Sequence, residues 1–422
     1  MPDPQAGPVE RSRHEPYAAL RHVNFRWFVA SLLTMTIASQ IQAVVVSWQL
    51  YRITRDPLSL GLIGLAEVIP YVSVALLAGH LVDRGDRRRI SAWALLLLTV
   101  AAAALLFFAA GPELPRAVWP YYAIIGICGI ARSFLQSSRS ALMSEIVPRE
   151  TFVNAATWRS STWQLGTVLG PAAGGLLLGH LGATTAYSFN LALALLALAS
   201  MLLIRFVPIP RADVTGSVRE SLAQGIAFVR SERVLFGALT LDLFAVLFGG
   251  AVALLPVFAA EVLHVGAQGL GTLQAGPGIG AVCMAVYIAH RGQFERAGRT
   301  LLVTVTVFGA CMIGFALSRV FWLSFALLVL SGAADNISAV IRSTLIQVLT
   351  PTELMGRVSA VNAVFIGSSN ELGAFESGAM ARVLGTVPSV VFGGTMTLAV
   401  VAGMTRRVPE LLQLRRIERR VS

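Results

Sequence analysis

Six ionisable side chains stand inside otherwise apolar runs of this chain: Glu67, Arg132, Asp242, Asp335, Glu371 and Glu376. Such groups suit two kinds of chemistry. They can pair with one another, or an acid can carry a proton as its surroundings alternate between an apolar wall and a nearby cation. If the runs cross a membrane, each charge at midplane costs about 2.5–3.5 kcal/mol on insertion scales and must face a partner or water. Glu67 is the first candidate proton carrier, followed by Glu371 and Asp335. Arg132, Asp242 and Asn370 are candidates for the wall of a binding cavity, together with the amides Gln40, Gln42 and Gln164 and the indole of Trp163. Trp27, Trp48 and Trp158 suit interfacial anchors. Glu376 is as well explained by a structural hydrogen bond.

The elements that position these groups follow from composition. Of 422 residues, 55% are hydrophobic and 13% charged, against about 25% charged in soluble proteins. A spanning helix needs about 20 mostly apolar residues. Twelve segments qualify, over 25–50, 58–81, 90–110, 118–144, 155–179, 184–206, 234–260, 268–290, 299–318, 321–348, 358–384 and 387–405. The net charge of +11 comes from arginine alone, since the chain has no lysine. Arginines cluster before the first span and after the second, sixth, eighth and twelfth. The positive-inside rule then puts both termini in the cytoplasm, as an even number of spans requires. The basic charge is therefore topological, and nucleic-acid binding is excluded. Cys128, Cys283 and Cys311 lie in apolar runs without metal-ligand or disulfide spacing.

The chain divides into a cytoplasmic tail (1–24), a six-span unit (25–206), a polar linker (207–233), a second six-span unit (234–407) and a basic tail (408–422). Within the linker, Val218, Leu222, Ile226 and Val229 recur at helical spacing and predict an amphipathic helix on the membrane surface. The two units are repeats. Arg139, Ser140, Leu142, Pro148 and Glu150 align with Arg342, Ser343, Leu345, Pro351 and Glu353 at a constant offset of 203. Arg132 and Asp335 share that offset, so they are expected to face each other across a central cavity. Parallel repeats about an axis along the membrane normal are a transporter architecture, with sites between the halves near midplane.

The stretch GHLVDRGDRRRI (79–90) ends the second span with a block of charge. Its arginines hold the loop in the cytoplasm and reach anionic lipid headgroups. With Gly79, Leu81, Asp83, Arg84, Arg87 and Arg88, the stretch resembles the loop between the second and third spans of the major facilitator superfamily. Asp86 stands where that pattern has its second glycine, a departure shared with the branch of enterobactin-exporter-like and drug/proton antiporters. GTVLGPAAGG (166–175) is similar to the antiporter motif of the same superfamily at Gly166, Gly170, Pro171, Gly174 and Gly175. The resemblance implies an all-α membrane protein of about twelve helices in two pseudo-symmetric bundles. It also implies a latch, with Asp83 meeting the start of the eleventh span, and Arg139 nearby, when the cavity faces outward.

The expected function is secondary transport by alternating access in a bacterial inner membrane. The expected form is a monomeric, proton-coupled exporter of a small organic molecule such as a siderophore or amphipathic drug, with no metal or other cofactor. Uptake, or transport of a lipid-like substrate, is possible with the same fold. A membrane protein that binds a partner without transporting is the alternative from another class, and the midplane charges speak against it. Without lysine there is no GxxxxGK[ST] phosphate loop, and there is no HExxH or GxSxG, so an enzyme is not expected.

Overall fold

The computed structural model describes residues 16–111, 117–205, 218–291, 294–351 and 354–414. Parts of both tails, the linker's beginning and Glu353 of the repeat lie outside these residues. The described chain is helical: α1 (Val23–Thr54), α2 (Pro57–Arg84), α3 (Arg87–Ala110), α4 (Trp119–Ile146), α5 (Phe152–Leu202), α6 (Val218–Ser231), α7 (Arg233–Phe248), α8 (Leu255–Val257), α9 (Gly266–Arg291), α10 (Ala297–Leu317), α11 (Phe321–Leu349), α12 (Met355–Leu384), α13 (Thr386–Arg407) and α14 (Pro409–Gln413). Successive long helices are joined by short turns and run up and down. One end of the molecule, here the near end, carries the start of α1 and the turn at 84–87. The other, the far end, carries the turn at 54–57.

Among the described residues, nine helical stretches are long and apolar enough to span a membrane on those grounds alone. One is α5, which holds two spans: Gly182 breaks it with φ 83° and ψ 173°, a conformation open to glycine. The charge-bearing α4 and α12 fall below that criterion and complete the set of twelve. The seventh span is less regular than its hydropathy predicts. After α7 the chain tightens into a 3₁₀ stretch, Gly250–Leu254, and reaches a π-helical turn, Phe258–Val262, through α8. Gly249, Gly250 and Pro256 were the sequence signal for this break, since glycine and proline both weaken an α-helix interior.

Two six-helix bundles result. The first is organised on one apolar core that draws on α1, α3, α4 and α5, with Phe25, Phe28, Leu95, Tyr121 and Tyr187 buried in it. The second has a far-end core around Phe258, Phe315 and Leu270, to which Tyr51 and Leu60 of the first bundle contribute. Its near-end core surrounds Leu235, Leu301 and Leu345. The linker helix α6 lies against the start of α12. A Cβ on Gly225 would stand 2.9 Å from the Arg357 carbonyl oxygen, and Arg357 donates to the Gln224 side chain. Val229 is buried there and Arg230 exposed, as an amphipathic helix requires.

The glycines of GTVLGPAAGG set how closely helices meet. Gly166, Gly170 and Gly174 lie against Thr36, Gln40 and Ile41 of α1. Gly175 instead meets α9 of the other bundle, where its added Cβ would be 2.6 Å from the Gly271 Cα. Missing side chains let the backbones approach. Gly61 and Gly378 bring α2 and α12 together in the same way, at 2.8 Å. These close inter-bundle contacts all lie at the far end. At the near end, Gly79 of α2 and Gly356 of α12 have open space around them. The bundles are therefore closed at the far end and part toward the near end.

Candidate functional site

Glu67 sits mid-way along α2, one helical turn beyond Gly64. Gly129 of α4 packs directly on the Glu67 backbone, which sets the two helices close enough for Arg132 to close an ion pair on the Glu67 carboxylate. Glu371 of α12 approaches from the other bundle: an added Cβ at Gly64 would stand 2.6 Å from its carbonyl oxygen and 3.1 Å from its Oε2. The guanidinium of Arg132 interacts electrostatically with Glu371 as well as Glu67. Two carboxylates from opposite bundles thus lie near one guanidinium, with which Glu67 forms the ion pair. One acid balances its charge; the other carries an unbalanced charge or holds a proton.

This triad separates two cavities. The larger, about 380 Å³, extends toward the near end and is lined by Thr36, Gln40, Tyr71, Gln136, Arg139, Trp163 and Gly367, among others. The smaller, about 170 Å³, extends toward the far end and is lined by Gln42, Ser47, Gly64, Cys128 and Gln274, among others. Glu67, Arg132, Glu371 and Ala43 border both. A charged partition between two cavities is the geometry in which a proton or a polar group could pass from one side to the other.

The other expected residues are placed unevenly. Gln40 and Trp163 line the larger cavity, with Trp163 54% exposed there. Gln42 lines the smaller one while bonded to Cys128 Sγ at 3.5 Å and to Asn190 at 3.4 Å. Gln164, Asn370, Asp242 and Asp335 border neither cavity. Asp242 instead forms a buried ion pair with Arg342, whose Nη1 also reaches Ser338 Oγ at 3.2 Å. The expected pairing of Arg132 with Asp335 across the cavity is corrected: the partner of Arg132 is Glu67. Position along a helix does not fix the direction in which its side chain points, and Asp335 of α11 borders neither of the cavities that Arg132 borders.

The charged turn at 84–87 works within the first bundle. Gly85 ends α2, and Asp86 caps α3 by accepting from the Arg89 backbone N–H at 3.1 Å. Aspartate is a favoured N-cap, which accounts for its presence where the related pattern has glycine. Arg87 pairs with Glu145 of α4 at 2.9 Å and donates to the Ala141 carbonyl at 3.1 Å. Arg88 donates to the Leu202 carbonyl at 2.6 Å. Asp83 and Arg84 are exposed on the last turn of α2. Arg139 donates to the Ser31 carbonyl at 3.2 Å.

Three polar contacts close the far end and had no sequence signal. Tyr51 Oη donates to the Glu261 carboxylate. Arg382 Nη1 lies 3.4 Å from Asp56, and Gln268 Nε2 lies 2.9 Å from His180 Nε2. Each joins one bundle to the other.

The comparisons with known proteins agree with this arrangement. The family model for transmembrane secretion effectors, of the major facilitator superfamily, matches residues 14–419. Macrolide efflux protein A of Streptococcus pyogenes is 23% identical over 393 residues, covering 89% of this chain and 94% of that protein. The enterobactin exporter EntS of Shigella flexneri is 25% identical over 382 residues, covering 88% of each. The inward-facing, occupied crystal structure of a bacterial homolog of the human lysosomal transporter Spinster shares the fold, with a TM-score of 0.71 at 13% identity. The match covers 94% of this chain and 99% of that one. These are membrane transporters, not enzymes. With twelve helices in two bundles and a match over nearly its whole length, the chain belongs to the transmembrane secretion effector family of the major facilitator superfamily.

Proposed function

We propose that this transporter is a proton-coupled exporter of a small amphipathic organic molecule, and that Glu67, Arg132 and Glu371 couple the two movements. The observation that carries the reading is the charged partition: the three side chains border both cavities. When the near end is open, substrate enters the larger cavity against Gln40 and Trp163. Rocking of the bundles about the partition closes the near end and opens the far end. A proton taken up there by one of the two carboxylates leaves Arg132 balanced by the other, and the cycle returns the proton to the near side. Asp83 and Arg139 are proposed to latch the near end in the opposite state. The near end is taken as cytoplasmic, because it carries the arginine clusters. Export is supported by the two related proteins, one an efflux protein and one an exporter.

The test is a dye-reported proton flux from proteoliposomes on addition of a macrolide or a catecholate siderophore. Wild type is compared with Glu67→Gln and Glu371→Gln, each checked for folding by its melting temperature. Substrate-driven proton movement should appear in wild type and vanish in both variants. Flux that survives in both variants, or substrate movement with no proton movement in wild type, overturns the coupling.

A further inference from the structure

The repeat supplies an internal control for one arginine. Arg139 of α4 and Arg342 of α11 occupy equivalent positions, 203 residues apart. Arg342 is neutralised: Asp242 of α7 closes on its guanidinium, and both are buried. Arg139 reaches the first helix of its own bundle in the same way but finds Ser31 there, and only the Ser31 carbonyl oxygen, at 3.2 Å. Ser31 and Asp242 stand at corresponding depths near the start of the first helix of each bundle. One copy of the pair has its acid and the other has a serine.

The consequence is a cation without a counter-charge. Among the described residues, Arg139 has no carboxylate within ion-pair distance, and its Nε is buried with no hydrogen-bond partner. The Ser31 hydroxyl is buried and unpartnered as well. Arg139 lines the larger cavity. Arg132 in the same cavity already has Glu67 as its partner, and Glu371, at the partition, forms no ion pair with Arg139 among the described residues. A guanidinium offers five donors in a planar fork that matches a carboxylate in bidentate fashion, and this one has a single protein acceptor. The same cavity presents the half-exposed indole of Trp163 and the ring of Tyr71. Its volume of about 380 Å³ lies within the usual range for small-molecule sites, roughly 300–1,000 Å³.

We infer that the larger cavity selects an amphipathic organic anion, its acid group held by Arg139 and its aromatic or apolar body set against Trp163. The exporter reading supplies the reason for a site in this cavity; the anion preference is a property of equilibrium binding and is tested without coupling.

The probes are 1-naphthaleneacetate and its uncharged methyl ester, measured by equilibrium dialysis with the full chain in zwitterionic nanodiscs against empty discs. Wild type should bind the acid more tightly than the ester. Arg139→Gln should lower the ratio of acid to ester affinity by about tenfold or more, as expected for loss of a charged hydrogen bond. Ser31→Asp should also abolish the preference, by supplying the counter-charge that Asp242 supplies to Arg342, while the melting temperature is kept or raised. Loss of the latch contributed by Arg139, or a purely structural effect, alters acid and ester alike and leaves that ratio at its wild-type value. Equal binding of both probes by wild type, or an acid preference that survives in Arg139→Gln and Ser31→Asp, overturns the inference. Failure of the proton-flux experiment alone would leave it standing.

Discussion

Replacing Tyr51 by phenylalanine removes one oxygen atom and should open the far end of this protein. Tyr51 is buried in the core shared by the two bundles, and its hydroxyl is donated to Glu261 across the interface. A hydrogen bond to a charged group contributes about 1.5–3 kcal/mol. Glu261 is exposed and can recover water, so the low end of that range, about 1.5 kcal/mol, applies. The Asp56–Arg382 pair at the same end is more exposed, at 33% and 59% of the side chains, and contributes about 0.2–1 kcal/mol. Each 1.4 kcal/mol changes a population ratio about tenfold, so Tyr51→Phe should raise the far-open population by about tenfold and Asp56→Asn by a few-fold at most. A native cysteine reports it. Cys128 is buried and borders the far-side cavity. On a Cys283→Ser, Cys311→Ser background, its labelling by a small membrane-impermeant thiosulfonate measures far-side opening. The rate should rise about tenfold in Tyr51→Phe, in proportion to the open population. Tyr122→Phe is the matched control, because Tyr122 donates to the Ser59 carbonyl inside the first bundle, at 3.0 Å. An unchanged rate in Tyr51→Phe, or an equal rise in Tyr122→Phe, would refute the assignment of this contact as a far-end closure.

Two further sites can be perturbed, one a buried ion pair and one a helix cap. Asp242→Asn leaves Arg342 buried without its counter-charge and should cost about 3–5 kcal/mol, read as a large fall in melting temperature. Asp242→Leu combined with Arg342→Met should recover most of that loss, as two apolar residues need no partner. Asp86→Ala should cost about 1 kcal/mol through loss of the α3 cap, whereas Asp86→Asn, which keeps an acceptor oxygen, should melt close to wild type.

What the sequence could reveal depended on whether the signal was carried by residue type or by direction. Glu67, Arg132 and Glu371 stood out because charge inside an apolar run is costly wherever it points. Their association was not legible, since it depends on how α2, α4 and α12 are rotated about their axes and on close packing at Gly64 and Gly129. The same ambiguity led to the expectation that Arg132 would meet Asp335. The division at Gly182 was visible, because the polar and glycine residues around it interrupt two apolar runs. The irregular seventh span was marked by Gly249, Gly250 and Pro256, but its hydropathy masked the break. The far-end contacts were beyond reach: Tyr51, Glu261, Asp56 and Arg382 are ordinary residues at helix ends, and only the assembled bundles bring them together. Asp86 stood out as a departure from a pattern, and its capping bond to Arg89 then gives the reason for it.

The two bundles share an architecture but distribute their charge differently. At the near ends of α4 and α11 the duplicated arginine persists, yet only the second bundle retains an acid against it. At midplane the difference is reversed: Arg132 and Glu67 pair within the first bundle, while the equivalent positions of the second are Asp335 and Gln274. The second bundle thus satisfies its arginine internally and sends Glu371 across the interface. In the first bundle, α4 turns both its arginines toward the larger cavity, Arg132 paired and Arg139 without an acid among the described residues. A rocking fold needs one surface whose charges change partners as it moves and another whose charges stay fixed. The Asp242–Arg342 pair, buried and away from both cavities, has the character of the fixed surface. The triad of Glu67, Arg132 and Glu371 has the character of the changing one, because its third member belongs to the opposite bundle and moves when the bundles do. On this argument, charge-neutral substitutions at Glu371 should alter the conformational cycle, and the same change at Asp242 should alter stability.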